Sequence, residues 1–249
     1  MRWLLRFSYI RGILFGILLV VLPPPTAAQR IRDVNANSWW VYTGDHQIAG
    51  PWSILAEIQV RRSDFAAIEQ QYQSRDALAY RFSPSVQVAA GYVYTHTGRY
   101  GDFPFARAFG EHRTFQQIAF KQTLKRLEME HRYRAEQRWL QNYIGSTDAY
   151  FWRYQNRARY QIKASFPVRG AWYAFGGDEI FVPYGANFGA SAFDQNRAFV
   201  GIGYKISDKN RLEVSYLNQF LIQRNGLIEE SDHTFRVQFL SSVLLFRKH

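Results

Sequence analysis

Residues 127–139 (LEMEHRYRAEQRW) carry a charge at every second position: Glu128, Glu130, Arg132, Arg134, Glu136 and Arg138. Residues 152–163 (WRYQNRARYQIK) repeat the pattern with Arg153, Gln155, Arg157, Arg159, Gln161 and Lys163. A helix would scatter these groups around its circumference, whereas a strand puts them all on one face. Faces so charged cannot form an ordinary core, so they meet either bulk water or the lumen of a polar barrel. A lumen offers them two chemistries. Opposite charges on neighbouring strands plug and stiffen the interior, at about 0.2–1 kcal/mol per pair. Alternatively, an arginine surplus lines a narrow path that favours anions.

A hairpin with Trp139 near Tyr150 would set Glu136 opposite Arg153 and Glu130 opposite Arg159. Arg132 and Arg157 would then face each other and need a third group, for which Glu57, Glu111, Glu128 and Glu213 are the candidates.

Nucleophilic and metal chemistry have thinner support. The six histidines are His46, His96, His112, His131, His233 and His249. By strand order His96 and His112 fall near the same end as Ser146, so a His–Ser pair is conceivable, but no spacing supports it. Glu111-His112 lacks a further ligand at metal-binding spacing. There is no cysteine, hence no disulfide framework and no thiolate site. No catalytic residue, metal or cofactor is expected, and the balance is against an enzyme. His131 faces outward by phase. The segments 194–197 (DQNR) and 101–104 (GDFP) read as turn-forming pieces of loop mouths.

The elements that must position the charges are strands throughout. The first covers 38–47 and closes at Gly50-Pro51. Residues 52–61 set Trp52, Ile54, Ala56, Ile58 and Val60 against Ser53, Leu55, Glu57, Gln59 and Arg61. Residues 71–82 set Arg75, Ala79 and Arg81 opposite Leu78, Tyr80 and Phe82. Residues 86–97 follow, and then 111–123 with Glu111, Arg113, Gln117, Ala119 and Lys121 on one face. After the two charged runs come 171–182, where Gly176-Gly177 suggests a bulge and the facing is ambiguous. Residues 197–206 carry Arg197 and Lys205 inward, 211–219 carry Glu213, and 233–246 close the chain.

Eleven strands of about ten residues have the length of a tilted membrane strand. Short turns alternate with long loops, the pattern of outer-membrane barrels, so the charged faces are expected to point inward. Lipocalin-like barrels invert that arrangement. Rings at both strand ends (Trp139, Trp152 and Tyr94; Trp52, Tyr80 and Tyr160) fit two interfacial girdles. The strand number is awkward. An exported N-terminus starts in the periplasm, while the strand at 38–47 must run towards it. Residues 29–38 show no clear period and either add a twelfth strand or thread the lumen. The expectation is an antiparallel up-and-down transmembrane β-barrel of about 12 strands, with ten as the alternative.

The N-terminus reads as a secretory signal. Arg2, Arg6 and Arg11 precede or flank an apolar run at 12–22, and Thr26-Ala27-Ala28 suits cleavage before Gln29. That run is well short of the roughly 20 residues a membrane helix needs. Residues 1–28 are therefore taken as signal and 29–249 as one barrel domain. The net charge of +11, three units of which belong to the signal, points to anionic solutes or lipopolysaccharide rather than nucleic acid for an exported chain. An aromatic content of 17% suits rings belting a membrane.

The segments AEIQVRR (56–62), GDFPFARAFGEHRTFQQ (101–117), HRYRAEQRW (131–139), FDQNRAFVGIGYKIS (193–207) and LEVSYLNQF (212–220) resemble a bacterial outer-membrane barrel family, domain of unknown function 2490. The likeness covers essentially the whole mature chain. It implies a Gram-negative outer-membrane location and brings no biochemical activity with it. One departure is C-terminal: Phe246, in place of a final aromatic residue, is followed by Arg247-Lys248-His249. The functional expectation is a porin-like narrow pore or binding barrel for small anionic solutes. The alternatives are a plugged structural barrel and a lipid-modifying enzyme. The expected partners are membrane lipid, lipopolysaccharide and the barrel-insertion machinery, and the expected state is a monomer.

Overall fold

The computed structural model describes residues 30–187, 193–223 and 226–244. The expected signal segment and the C-terminal Phe246-Arg247-Lys248-His249 lie outside them. The described residues form eleven strands: β1 (Ile31–Ala49), β2 (Trp52–Ser63), β3 (Ile68–Ser83), β4 (Val86–Thr97), β5 (Phe109–Leu124), β6 (Leu127–Tyr143), β7 (Tyr150–Arg169), β8 (Trp172–Tyr184), β9 (Gln195–Lys205), β10 (Asn210–Ile222) and β11 (Ile228–Ser241). No helix occurs among the described residues.

Each strand pairs antiparallel with the next, and β1 closes the ring against β11 in parallel from Ile31↔Ile228 to Gly44↔Ser241. Two expectations are corrected here. The barrel closes with eleven strands, not twelve or ten, and its ladder is mixed rather than wholly antiparallel. The reason is parity, since strands that reverse at every turn leave the first and eleventh running the same way. Residues 31–37, expected to lack a period, extend β1, with Asp33, Asn35 and Asn37 buried and Arg32, Val34 and Ala36 exposed. Pairing the two ends leaves no open sheet edge.

Two local expectations also change. The β6–β7 hairpin turns at Tyr143↔Tyr150, because both strands run past the charged repeats. The register therefore sets Glu136 opposite Arg157, Glu130 opposite Lys163 and Arg134 opposite Arg159. No bulge forms at Gly176-Gly177, and the register shift in that hairpin lies between Pro167 and Arg169. Gly177 is needed for close approach, since a Cβ there would come within 2.2 Å of the Ile162 carbonyl oxygen and 2.6 Å of the Phe199 ring.

The outer wall is apolar and aromatic, as Ile58, Leu78, Val200, Ile202 and Tyr216 show by their exposure. Several polar groups on it bond one another, while Asp76 of β3 is exposed on it with no side-chain hydrogen bond or ion pair among the described residues. Gln116 and Gln137 exchange two hydrogen bonds of 3.2 Å, and Asn196 donates to Asp178 at 2.8 Å. His46, His112, His131 and His233 each share a hydrogen bond with a tyrosine hydroxyl, from Tyr42, Tyr92, Tyr160 and Tyr216 respectively. His112 and His233 stand near the loop end of the barrel, His46 and His131 near the turn end.

The core is the lumen. Trp39, Val41, Tyr173, Phe175, Phe199 and Leu217 form one apolar cluster inside it. Ala77, Ala79, Ala89, Val93 and Phe115 form a second on the opposite wall.

Candidate functional site

Mid-lumen, β5 to β8 and the approach to β9 bring together four carboxylates and a ring of arginines. Glu136 is completely buried, at 0% exposure. Arg157 gives it Nε and Nη2 at 2.9 and 2.6 Å, and Arg159 gives Nη1 at 2.6 Å. Glu179 accepts from Arg159 Nη2 at 2.7 Å and from Arg132 at 3.1 Å. Glu111 holds Arg113 bidentately at 2.7 and 2.8 Å and also accepts from Arg138 Nη2 at 3.2 Å. Asp194 ties Arg157 at 2.9 Å to Arg138 at 3.6 Å, so the network runs unbroken from Arg113 to Arg132.

Buried charges cost several kcal/mol each to desolvate, so such a network survives only when each member is well paired. Aromatic rings supply further support. Arg159, Arg197 and Arg157 lie over Phe181 at 4.4, 4.7 and 5.0 Å, Arg134 over Phe115 at 4.6 Å, and Arg61 over Trp39 at 3.9 Å. Desolvated cation–π contacts contribute about 2 kcal/mol or more each. The rings fix the guanidinium planes while the carboxylates fix their edges. The result is a rigid, charge-filled partition across the barrel.

On the turn side of this partition the lumen opens into a cavity of about 930 Å³. Ten basic side chains line it against six carboxylates. Glu57 is held by Arg75 at 2.7 Å, and Glu213 by Lys163 at 2.5 Å and the Tyr173 hydroxyl at 2.9 Å. Arg197 reaches Glu179 only at 3.9 Å. Arg236 donates Nε to Ser215 at 3.0 Å and lies 4.8 Å over Phe199. Among the described residues no carboxylate comes within ion-pair distance of Arg236. At the rim, Arg81 pairs with Asp45 at 2.8 Å and Lys121 with Glu130 at 3.5 Å, and Glu128 is exposed. Lys205 is exposed at the end of β9, away from the cavity lining. Arg153 bonds the Asn187 carbonyl on the loop side and does not join the network.

Towards the loops lies a smaller void of about 140 Å³, lined by Arg61, Arg113, Arg138 and Arg157 and reached by Tyr100 and Phe105 of the 98–108 loop. Beside it Asp33, Glu230 and Asp232 are buried together at the β1–β11 seam. The outward neighbours at this level, Arg32 and Glu229, are charged, so the cluster sits beyond the apolar belt. Burial, with Asp232 and Asp33 nearby, pushes the Glu230 carboxyl up to about 7. Burial, with Asp33 nearby, pushes Asp232 up to about 6.

The His–Ser arrangement is not formed. His112 is bound to Tyr92, His96 lies 3.8 Å from Glu69, and Ser146 contributes its carbonyl to Arg107. Glu111 and His112, adjacent on a strand, point to opposite faces and cannot share an ion. The third group for Arg132 is Glu179 rather than any of the four carboxylates expected, and Arg157 is met by Glu136 and Asp194. Glu179 carries no alternation signal because β8 is largely apolar on both faces. Asp194 looked like a turn former, and Asp33 fell in a stretch without evident period. The alternation of Asp33, Asn35 and Asn37 was the available signal.

The family described as "Protein of unknown function (DUF2490)" matches residues 36–229. An uncharacterized protein of Methylorubrum extorquens is 27% identical over 230 residues, spanning 90% of this chain and 93% of its own length. No solved structure matches. The chain belongs to the DUF2490 family.

Proposed function

We propose that this member of the DUF2490 family spans the bacterial outer membrane and acts as a binding barrel for small anionic solutes, with a lumen that does not conduct. The observation that carries the reading is the turn-side cavity. Its basic groups outnumber its carboxylates, Arg236 bonds a neutral hydroxyl and lies over a ring with no carboxylate within ion-pair distance among the described residues, and the inner end is closed by the ion-pair partition. A cation held in a pre-formed wall attracts an anion without paying to reorganise.

The membrane part rests on the outer wall. It is largely apolar and rich in exposed rings, and Gln116, Gln137, Asn196 and Asp178 on it are bonded to one another, as the absence of water in a bilayer favours; Asp76 is the exception. A closed barrel is one of the two backbone arrangements able to span a bilayer. The reading has the N-terminal signal exporting the chain, the insertion machinery placing it, lipid and lipopolysaccharide surrounding a monomer, and the short turns facing the periplasm. Nucleic acid has no part in it.

The partition also favours a purely structural barrel. Titration calorimetry with inorganic pyrophosphate separates the two. Saturable binding that weakens at least tenfold in Arg236→Gln supports the binding barrel. No heat from folded protein leaves the structural one.

A further inference from the structure

The loop at 98–108 joins β4 to β5 but fastens to elements three and four strands away. Tyr100 donates its hydroxyl to Glu230 Oε2 on β11 at 3.2 Å, and the Phe103 carbonyl accepts from Gln223 at 3.3 Å. Gly101, at φ +76°, is seated on β1 so closely that a Cβ would lie 2.8 Å from Asp33 Oδ2 and 2.9 Å from Asn35 Oδ1. A side chain there would be strained by φ and blocked by these oxygens. Arg107 reaches Asp148 at 2.5 Å and the Ser146 carbonyl at 2.6 Å on the neighbouring loop. The strap therefore crosses the mouth above the arginine-lined void.

Its anchor is chemically unlike the rest of the lumen. Glu111, Glu136 and Glu179 each hold at least two arginines, whereas among the described residues Asp33, Glu230 and Asp232 have no basic group within ion-pair distance. Around Glu230 stand Asp33 and Asn35 from β1, Asp232 from its own strand, Tyr100 from the strap, and Gln223 beyond β10. Asp232 receives Asn35 at 3.1 Å and Gln219 at 2.7 Å. Arg197 comes no nearer than Gln219, to which it donates at 2.9 Å, and Arg30 bonds the Gly226 carbonyl. Both carboxyl oxygens of Asp33 lack any hydrogen-bond partner while the residue is only 2% exposed. Three carboxylates this close, without a cation, cannot all ionise while the strap keeps water out.

We infer that residues 98–108 form a lid over the loop-side void, latched while Glu230 and Asp232, buried beside Asp33, hold protons and released when they ionise. The strands carrying the cluster are fixed by the closed ladder, so the strap is the part that yields. Its departure admits water to the carboxylates and opens Arg61, Arg113 and Arg138 to the loop side. The sign follows from linkage. The closed state binds protons more tightly than the open one, so its advantage is complete below the open-state carboxyl values of roughly 4 and is lost as pH rises through about 6 to 7. This inference does not depend on the anion-binding reading.

The chain has no cysteine, so a single spin label can be placed at Ala106→Cys, on the exposed part of the strap, with Asp208→Cys as the reference site. Electron paramagnetic resonance of the full chain folded in detergent, between pH 5 and 9, should show the Ala106 label slow at pH 5 and fast at pH 9. The midpoint should lie near 7, and the reference should not change. In Glu230→Gln with Asp232→Asn the label should stay slow throughout. Tyr100→Phe, which leaves the strands untouched, should lower the midpoint. Mobility independent of pH in the native chain overturns the inference, as does an unchanged midpoint in the folded amide variant or in Tyr100→Phe.

Discussion

Arg157 and Glu136 face each other across the β6–β7 ladder, and the arginine's Nε and Nη2 end on the same carboxylate oxygen at 2.9 and 2.6 Å. The other oxygen belongs to Arg159 on the same strand, at 2.6 Å. One carboxylate thus neutralises two arginines two residues apart, and Arg134 approaches it at 3.8 Å. The pair is the hinge of the partition.

Removing that charge leaves Arg134 with no carboxylate partner among the described residues and leaves Arg157 and Arg159 with one each, Asp194 and Glu179, in a buried interior. Glu136→Gln should destabilise the barrel by about 3–5 kcal/mol, the usual cost of breaking a buried pair from one side. Urea unfolding in detergent measures it. Adding Arg157→Gln should return part of the loss, and strictly additive losses would show that the two residues do not interact.

The membrane reading is tested on the outside of the wall. Val200 lies in the middle of β9, 61% exposed, between the outward Ala198 and Ile202. In lipid, Val200→Arg should cost about 2–4 kcal/mol, the midplane penalty for an arginine. If that face meets water the change should be nearly neutral. Folding equilibria in bilayer vesicles distinguish the two results.

Gly177 is a packing requirement. Gly177→Val should force the β7–β8 ladder away from the Phe199 ring and destabilise by at least the 1–3 kcal/mol of an overpacked core. Gly145, in a loop with open space around it, should tolerate alanine with only the small loss its φ of +58° entails. Thermal gel-shift midpoints of the two variants should rank in that order.

The alternation of charge in β6 and β7 made strands legible, because a period of two has no helical counterpart. Turn residues at Gly50-Pro51 located a reversal with equal clarity. The seam was not legible. Pairing between β1 and β11 joins residues almost 200 apart, and no local pattern announces a parallel contact. Nor was the facing of β8, where Tyr173, Phe175 and Phe181 point inward while Trp172, Ile180 and Val182 point outward. Inward rings serve here as seats for arginines, which breaks the polar-in, apolar-out rule at the positions that build the site. The β6–β7 register slipped for a simpler reason: strands continue past their charged repeats, and one misjudged turn moves every cross-strand partner.

The claim that matters most is that the lumen is closed. Planar-bilayer conductance of the folded protein in an asymmetric salt gradient tests it directly, with folding verified by a heat-dependent gel shift. The partition of Glu111, Glu136, Glu179 and their arginines predicts a silent membrane. Stable discrete steps with an anion-selective reversal potential would contradict it and make the arginine face a conducting path.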